Sequence, residues 1–589
     1  MLSRVLRSRW FWLLVLGGLV AVGWLGTSVA LDARQAASAL GEAQDDAARL
    51  KSALIAGEQP QVTSSLADLQ DHAAAAHDLT DGWTWDVVAT VPWWGRNVEA
   101  VQISTAAVDD IAARGLPPLA DAGAKLSVDS FRPQDGRVDV ATLARLAPAV
   151  TAASDVLDHN AEQVEAIDTD RLVGPVRDRL QDLQRELAAA NSSAATASRA
   201  LELAPSVLGS DGRRTYLLVF QTNAEIRSTA GMGGAFALVT ADDGRLTLSA
   251  QSSAALLNGD VDPDPGLTEE ELAVFGSLMG SDVRATNVDP HVPRVAQLWA
   301  DRAQQAYGTP VDGVISLDAV SVSSLMRGIG AVDVPGGPRL TAGNLVDQVL
   351  HQVYLDIEDP GAQDDYFAAV TKRVFAKVVS GRVDWPAVVD ALTAAADERR
   401  VEVWFRSPKE QQVLDDTAVV GSIVQPGSTP YVGLYVNDAA QSKMSYYLRY
   451  DTTVMSARCT AKGRQTISGT TTFRNLLQGD PEKLPRYVTG SGRRADRGDI
   501  SLSLWLFAPR GGRVTGLAVD GQDQALGSGG PAYEDRPSQF GAVTVKPGQK
   551  VDLTWRVETA AGQGGDGRFF QTPGVTTSAN GVRIASACR

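Results

Sequence analysis

A run of 22 residues near the N-terminus, Trp10 to Leu31 (WFWLLVLGGLVAVGWLGTSVAL), carries no charged side chain. Roughly 20 helical residues at about 1.5 Å each cross the ~30 Å hydrocarbon layer of a bilayer. A helix apolar on every side offers water no face, so the segment is either a retained membrane anchor or a cleaved leader. Its length favours the anchor, although Ser28-Val29-Ala30 is a weak small-x-small cleavage match. Arg4, Arg7 and Arg9 precede the run and Asp32 follows it, which puts residues 1–9 in the cytoplasm and everything after residue 31 outside.

With 589 residues the chain exceeds one hydrophobic core and divides into several domains. Its formal net charge of -16, without a long basic block, argues against a nucleic-acid partner. Only two cysteines are present, Cys459 and Cys588. Outside the membrane such a pair is expected to be oxidised, and closing a loop of about 130 residues would stabilise by up to ~5 kcal/mol in the chain-entropy account. The five histidines show no zinc-ligand spacing.

From residue 32 to about 205, apolar residues recur at three- and four-residue intervals, as in Leu180, Leu183 and Leu187, which predicts amphipathic helices packed as an extracytoplasmic bundle. Breaks are expected at Gly57 to Pro60, at Gly115-Leu116-Pro117-Pro118, near Pro133 and at Gly174-Pro175. Trp83, Trp85, Trp93 and Trp94 crowd one short stretch, fit either for burial between helices or for a lipid interface. Residues 206–410 alternate strand-like and helix-like segments, the pattern of an α/β domain. Residues 426–589 hold short strand-like runs separated by Gly, Asp and Pro, which predicts an antiparallel β-sandwich. The expected fold class is therefore multidomain, with a transmembrane helix, an α-helical bundle, a central α/β domain and a C-terminal antiparallel β-sandwich.

Three polar clusters fall in the central domain. The loop between the runs Tyr216 to Phe220 and Ala235 to Thr240 carries Asn223, Glu225 and Arg227 beside Gly231, Gly233 and Gly234. A guanidinium fork and unobstructed backbone N–H groups suit phosphate oxygens. Equally, Glu225 can pair with Arg227 while the glycines serve a tight turn. The second cluster supplies Arg284, Asn287 and Asp289, suited either to a ligand mouth or to capping the next helix. The third lies on QDDYFAAVTKRVFAKVV, where Phe367, Val370, Val374 and Val378 mark the core face, Asp365 and Lys372 point away, and Arg373 on the flank is the better site candidate. No Ser-His-Asp order, nucleophile elbow, Walker loop or dinucleotide fingerprint occurs.

The stretches YLLVFQTNAEIRSTAGMGGAFALVT, VRATNVDPHVPRVAQLW, VDGVISLDAVSVSSLMRGIGAVDVP and GLYVNDAAQSKMSYYL resemble an uncharacterised bacterial family, domain-of-unknown-function family 4012, common in membrane-anchored envelope proteins of Gram-positive bacteria. More distantly, Arg227-Ser228-Thr229, the stretch Val311 to Val334 and the helix Asp365 to Arg373 are similar to elements of the LytR-CpsA-Psr glycopolymer phosphotransferases. That family's metal-holding aspartate has no counterpart after Arg227-Ser228, and Ala368 and Thr371 stand where its two helix arginines fall. The resemblance implies a single-pass, outward-facing envelope protein that binds or helps assemble a cell-wall glycopolymer or its polyprenyl-phosphate carrier. Mg²⁺ would accompany a pyrophosphate ligand, and polyprenyl-linked glycan and other envelope proteins are the implied partners. A non-catalytic scaffold and a phosphotransferase of the same family stay open as alternatives.

Overall fold

A computed structural model describes residues 9–56, 58–92, 94–125, 133–134, 136–258, 266–424, 429–460, 462–490, 492, 494–526, 531–576 and 581–588. The expected cytoplasmic tail, apart from Arg9, and Trp93 lie outside these residues, as do the side chains of the expected anchor through residue 25. The chain forms two compact units, one of Met1–Arg132 with Val138–Val207 and one of Pro133–Arg137 with Leu208–Arg589.

The first unit is helical. Helix α1 (Arg9–Ala56) runs unbroken through the uncharged N-terminal segment, compatible with a membrane anchor. It is followed by α2 (Gln59–Thr80), the short α3 (Trp83–Ala89), α4 (Gly95–Asp110), α5 (Leu116–Lys125), α6 (Val140–Glu165) and α7 (Gly174–Val207). Small apolar residues close the packing: Ala43, Leu50 and Ala53 share a core with Val62, Leu69 and Ala73. Among the described residues one helix, α6, is long and apolar enough by length and composition to cross a membrane. It buries Ala161 and Val164 in a core with Leu180 and Leu187 of α7. The break expected at Leu116-Pro117-Pro118 does not occur. A π-turn, Ile111–Gly115, carries α4 into α5, and its shifted hydrogen bonds leave room for prolines that cannot donate.

The second unit contains three sheets. The central one comprises β1 (Arg214–Thr222), β2 (Met232–Asp242), β3 (Arg245–Ser253), β4 (Gly313–Asp318) and β5 (Val401–Phe405), in the order β3-β2-β1-β4-β5. Only β1 and β4 run parallel, Tyr216 opposite Gly313, so the sheet is mixed. Helix α8 (Val292–Tyr307) covers one face; α9 (Ala319–Ile329) and α10 (Pro360–Val379) belong to the other. Asp318 caps α9 by accepting from the Ser321 N–H at 2.7 Å. Beyond α9 the chain makes a single isolated bridge, Val332 with Leu340.

The remaining strands are β6 (Tyr431–Asp438), β7 (Leu448–Cys459), β8 (Gln465–Asn475), β9 (Ile500–Phe507), β10 (Arg513–Val519), β11 (Gln522–Asp523), β12 (Ala532–Tyr533), β13 (Arg536–Val545), β14 (Lys550–Glu558), β15 (Gly567–Gln571) and β16 (Val582–Ile584). They form a five-stranded sheet, β11-β10-β14-β8-β7, and a six-stranded sheet, β12-β13-β9-β6-β15-β16. Alternate residues of both, such as Leu553 and Trp555 from one and Leu502, Leu504 and Val436 from the other, enter one apolar core. All pairings are antiparallel except β6 with β15, where Phe569 lies opposite Val432. Cys459 and Cys588 are joined by a disulfide.

Candidate functional site

The β1–β2 loop is a buried polar hub. Gly231 stands where a Cβ would lie 2.3 Å from the Thr222 backbone, so close chain approach explains the glycine. Gln221 Oε1 accepts from Thr229 Oγ1 at 2.7 Å and from Asn287 Nδ2 at 3.1 Å, and the same Asn287 amide reaches the Gly231 carbonyl at 2.6 Å. Asn223 donates to Asp318 at 2.8 Å, and Asp318 also receives the Arg400 guanidinium at 2.6 Å.

Glu225 is the electrostatic centre. One carboxylate oxygen takes Arg227 Nη2 and the other Lys443 Nζ, each at 2.7 Å. Burial pushes the Glu225 carboxyl up, but Lys443 and Arg227 outweigh it and hold the pKa below its ordinary value. For Lys443 burial works downward, yet Glu225 prevails and the ammonium is held above its usual range. Arg227 is itself buried, its Nη1 donating to the Ile226 and Asp438 carbonyls. Asp438 is pushed up to about 6 by burial and by Glu225.

Above this hub opens a cavity of about 570 Å³ between the central sheet and α9 and α10. Leu218, Phe220 and Leu317 line its sheet side, and Val322, Phe367 and Val374 are among the residues opposite. Arg284, Tyr487 and Asp364 both line it and are exposed, so they mark its rim. Arg284 holds Asp282 at 2.8 Å while more than half of its side chain stays accessible. Lys443 lies against Tyr487 and Tyr354, its ammonium 5.4 Å and 5.8 Å from the ring centres.

The structure thus places Arg284 at the cavity rim, whereas Glu225 and Arg227 are paired in the buried hub and do not line the cavity. Asn223 and Asn287 are buried supports of the hub. Asp289 lies elsewhere, accepting from the His291 N–H and the Tyr533 hydroxyl at 2.7 Å each. Arg373 is exposed on α10 and does not line the cavity, whereas its neighbours Thr371 and Val374 do. Lys443 and Tyr487 escaped the sequence reading, although Lys443 sits within the family-like stretch GLYVNDAAQSKMSYYL.

Among the described residues no group of three or more His, Cys, Asp or Glu side chains could hold a metal ion. The cavity's own acids do not fit one either. Asp318 is engaged by Arg400, Asn223 and the Ser321 N–H, and Asp364 stands at the exposed rim.

Residues 211–354 match the model of a family described as "Protein of unknown function (DUF4012)", which supports that family for this stretch. No curated protein matches the chain. Among solved structures, the Lin1025 protein of Listeria innocua is similar at 13% identity over 42% of this chain and 86% of that one, with a TM-score of 0.21, too low to carry a structural argument.

Proposed function

We propose that this chain is a single-pass, outward-facing cell-envelope protein that binds an amphiphile of the polyprenyl-phosphate type, the lipid that carries cell-wall glycopolymers. The observation that supports this most is the apolar cavity of about 570 Å³ with Arg284 at its rim and Lys443 in its lining. Left uncovered, its apolar lining faces water through the open rim, at roughly 25 cal/mol per Å² of apolar surface. A long hydrocarbon tail restores the missing contacts, and a guanidinium at the rim suits a phosphate head. In this reading the central domain is LytR-CpsA-Psr-like and the C-terminal sheets form a β-sandwich. No transfer step is assigned, because the arginines that hold pyrophosphate in that family have no counterparts lining this cavity.

The test is mass spectrometry of lipid extracted from the full-length chain purified in mild detergent. A stoichiometric phosphate-headed isoprenoid is expected, lost on Ala235→Trp, which fills the cavity. Arg284→Ala should weaken binding of a polyprenyl phosphate about tenfold while leaving the matching alcohol unaffected. Wild-type protein that carries no lipid and gains no thermal stability from added polyprenyl phosphate would refute the proposal.

A further inference from the structure

The tryptophan-rich stretch lies where the bundle meets the expected anchor. Helix α2 runs back along α1: Glu58 is hydrogen-bonded to Ala53, His72 to Asp46, and Ala76 and Leu79 share a cluster with Ala36 and Ala39. The chain then turns through α3, whose Trp85, only 2% exposed, packs with Val29, Ala33 and Val98. Val29 belongs to the last turn of the uncharged run, about 3 Å short of its end at 1.5 Å per residue. The headgroup zone on each side of a bilayer is roughly 5–8 Å deep, so α3 stands at that depth.

At this level the turn leaves two tryptophans and two valines exposed. Trp83 is 64% and Trp94 62% exposed, with Val87 and Val91 each above 40%. Trp83 and Val87 are four residues apart on one face of α3, while Trp85 and Ala89 occupy the opposite face against α1. We infer that Trp83, Val87, Val91 and Trp94 form an interfacial foot that inserts into the headgroup layer of the bilayer holding α1. Indole rings favour this layer because the ring is apolar and its N–H stays hydrated. The foot adds a second attachment beside the anchor and restricts tilting of the bundle on the membrane. The inference rests on the anchor reading for Trp10 to Leu31 and is independent of the lipid cavity.

The experiment uses the full chain in vesicles of phosphatidylcholine brominated near the headgroup end of its acyl chains. Trp10, Trp12 and Trp24 of the anchor supply a quenched baseline. Replacing Trp83 and Trp94 by Phe should lower the lipid-quenched part of the emission measurably, while Trp85→Phe should leave it unchanged. Vesicle-bound protein whose quenched emission is the same with and without Trp83 and Trp94 would overturn the foot alone. A chain that fails to float with vesicles, with no quenched emission at all, would overturn the anchor and the foot together.

Discussion

The two faces of the central sheet make opposite use of neighbouring residues on the same strand. In β1, Leu217 and Val219 are fully buried in a core with Phe236, Val295 and Trp299. Leu218 and Phe220, one residue along and pointing the other way, keep accessible surface because the cavity adjoins them. Phe236 and Trp299 meet edge to face, their ring centres 6.4 Å apart, leaving α8 no slack. The contrast teaches that one face of this sheet is closed by packing while the other borders an open cavity.

The largest expected effect is on the closed face. Trp299→Ala should cost about 3–5 kcal/mol in a urea titration, since the indole is replaced by a void. A cost below about 1 kcal/mol would show that this face is no better packed than the other. The paired comparison comes next: Leu217→Ala should cost roughly 2–5 kcal/mol and Leu218→Ala about 1, because the second side chain already borders open space. Equal costs would break the contrast.

A third prediction concerns the buried acid away from the cavity. Burial, only partly offset by the His291 N–H and the Tyr533 hydroxyl, pushes Asp289 up to about 8. Its folded pKa lies above the unfolded value of about 4, so its contribution is fully present below that value and is lost as pH rises towards 8. His291, lowered by burial to about 4, acts in the opposite sense, its contribution falling away as pH drops below about 6.5. Asp289→Asn keeps an acceptor for Tyr533 and should gain on wild type by roughly 1–4 kcal/mol between pH 5 and pH 8. Parallel pH–stability curves for the two proteins would contradict this. The smallest stability effect is expected for Ala235→Trp, within about 1 kcal/mol of wild type, because the new ring occupies space already present. A large loss there would mean that the cavity closes in solution.

Much of the scaffold was legible. The span of α9 from Ala319 to Ile329 follows from its amphipathic spacing between the capping Asp318 and Gly330, and β9 from its alternation over Ile500 to Phe507. The cysteine pairing followed from there being only two. What stayed hidden depends on partners far along the chain. Strand β15 lies in a glycine-rich stretch with little strand character and exists because β6, more than a hundred residues earlier, supplies its hydrogen bonds. Lys443 gains its role from Glu225, 218 positions away. The helix through Pro117 and Pro118 depends on a π-turn that no local preference announces. The cavity was illegible for a simpler reason: Leu218 and Leu217 look alike in a sequence, and only packing distinguishes an apolar residue that fills a core from one that lines a space.

The most direct test is an experimental structure of the full-length chain with polyprenyl phosphate added. Continuous tubular density is predicted, starting beside Arg284 and passing between Leu218 and Phe220 on one side and Phe367 and Val374 on the other. A structure in which α9 and α10 close onto the sheet and those side chains touch, with no space between them, would contradict it.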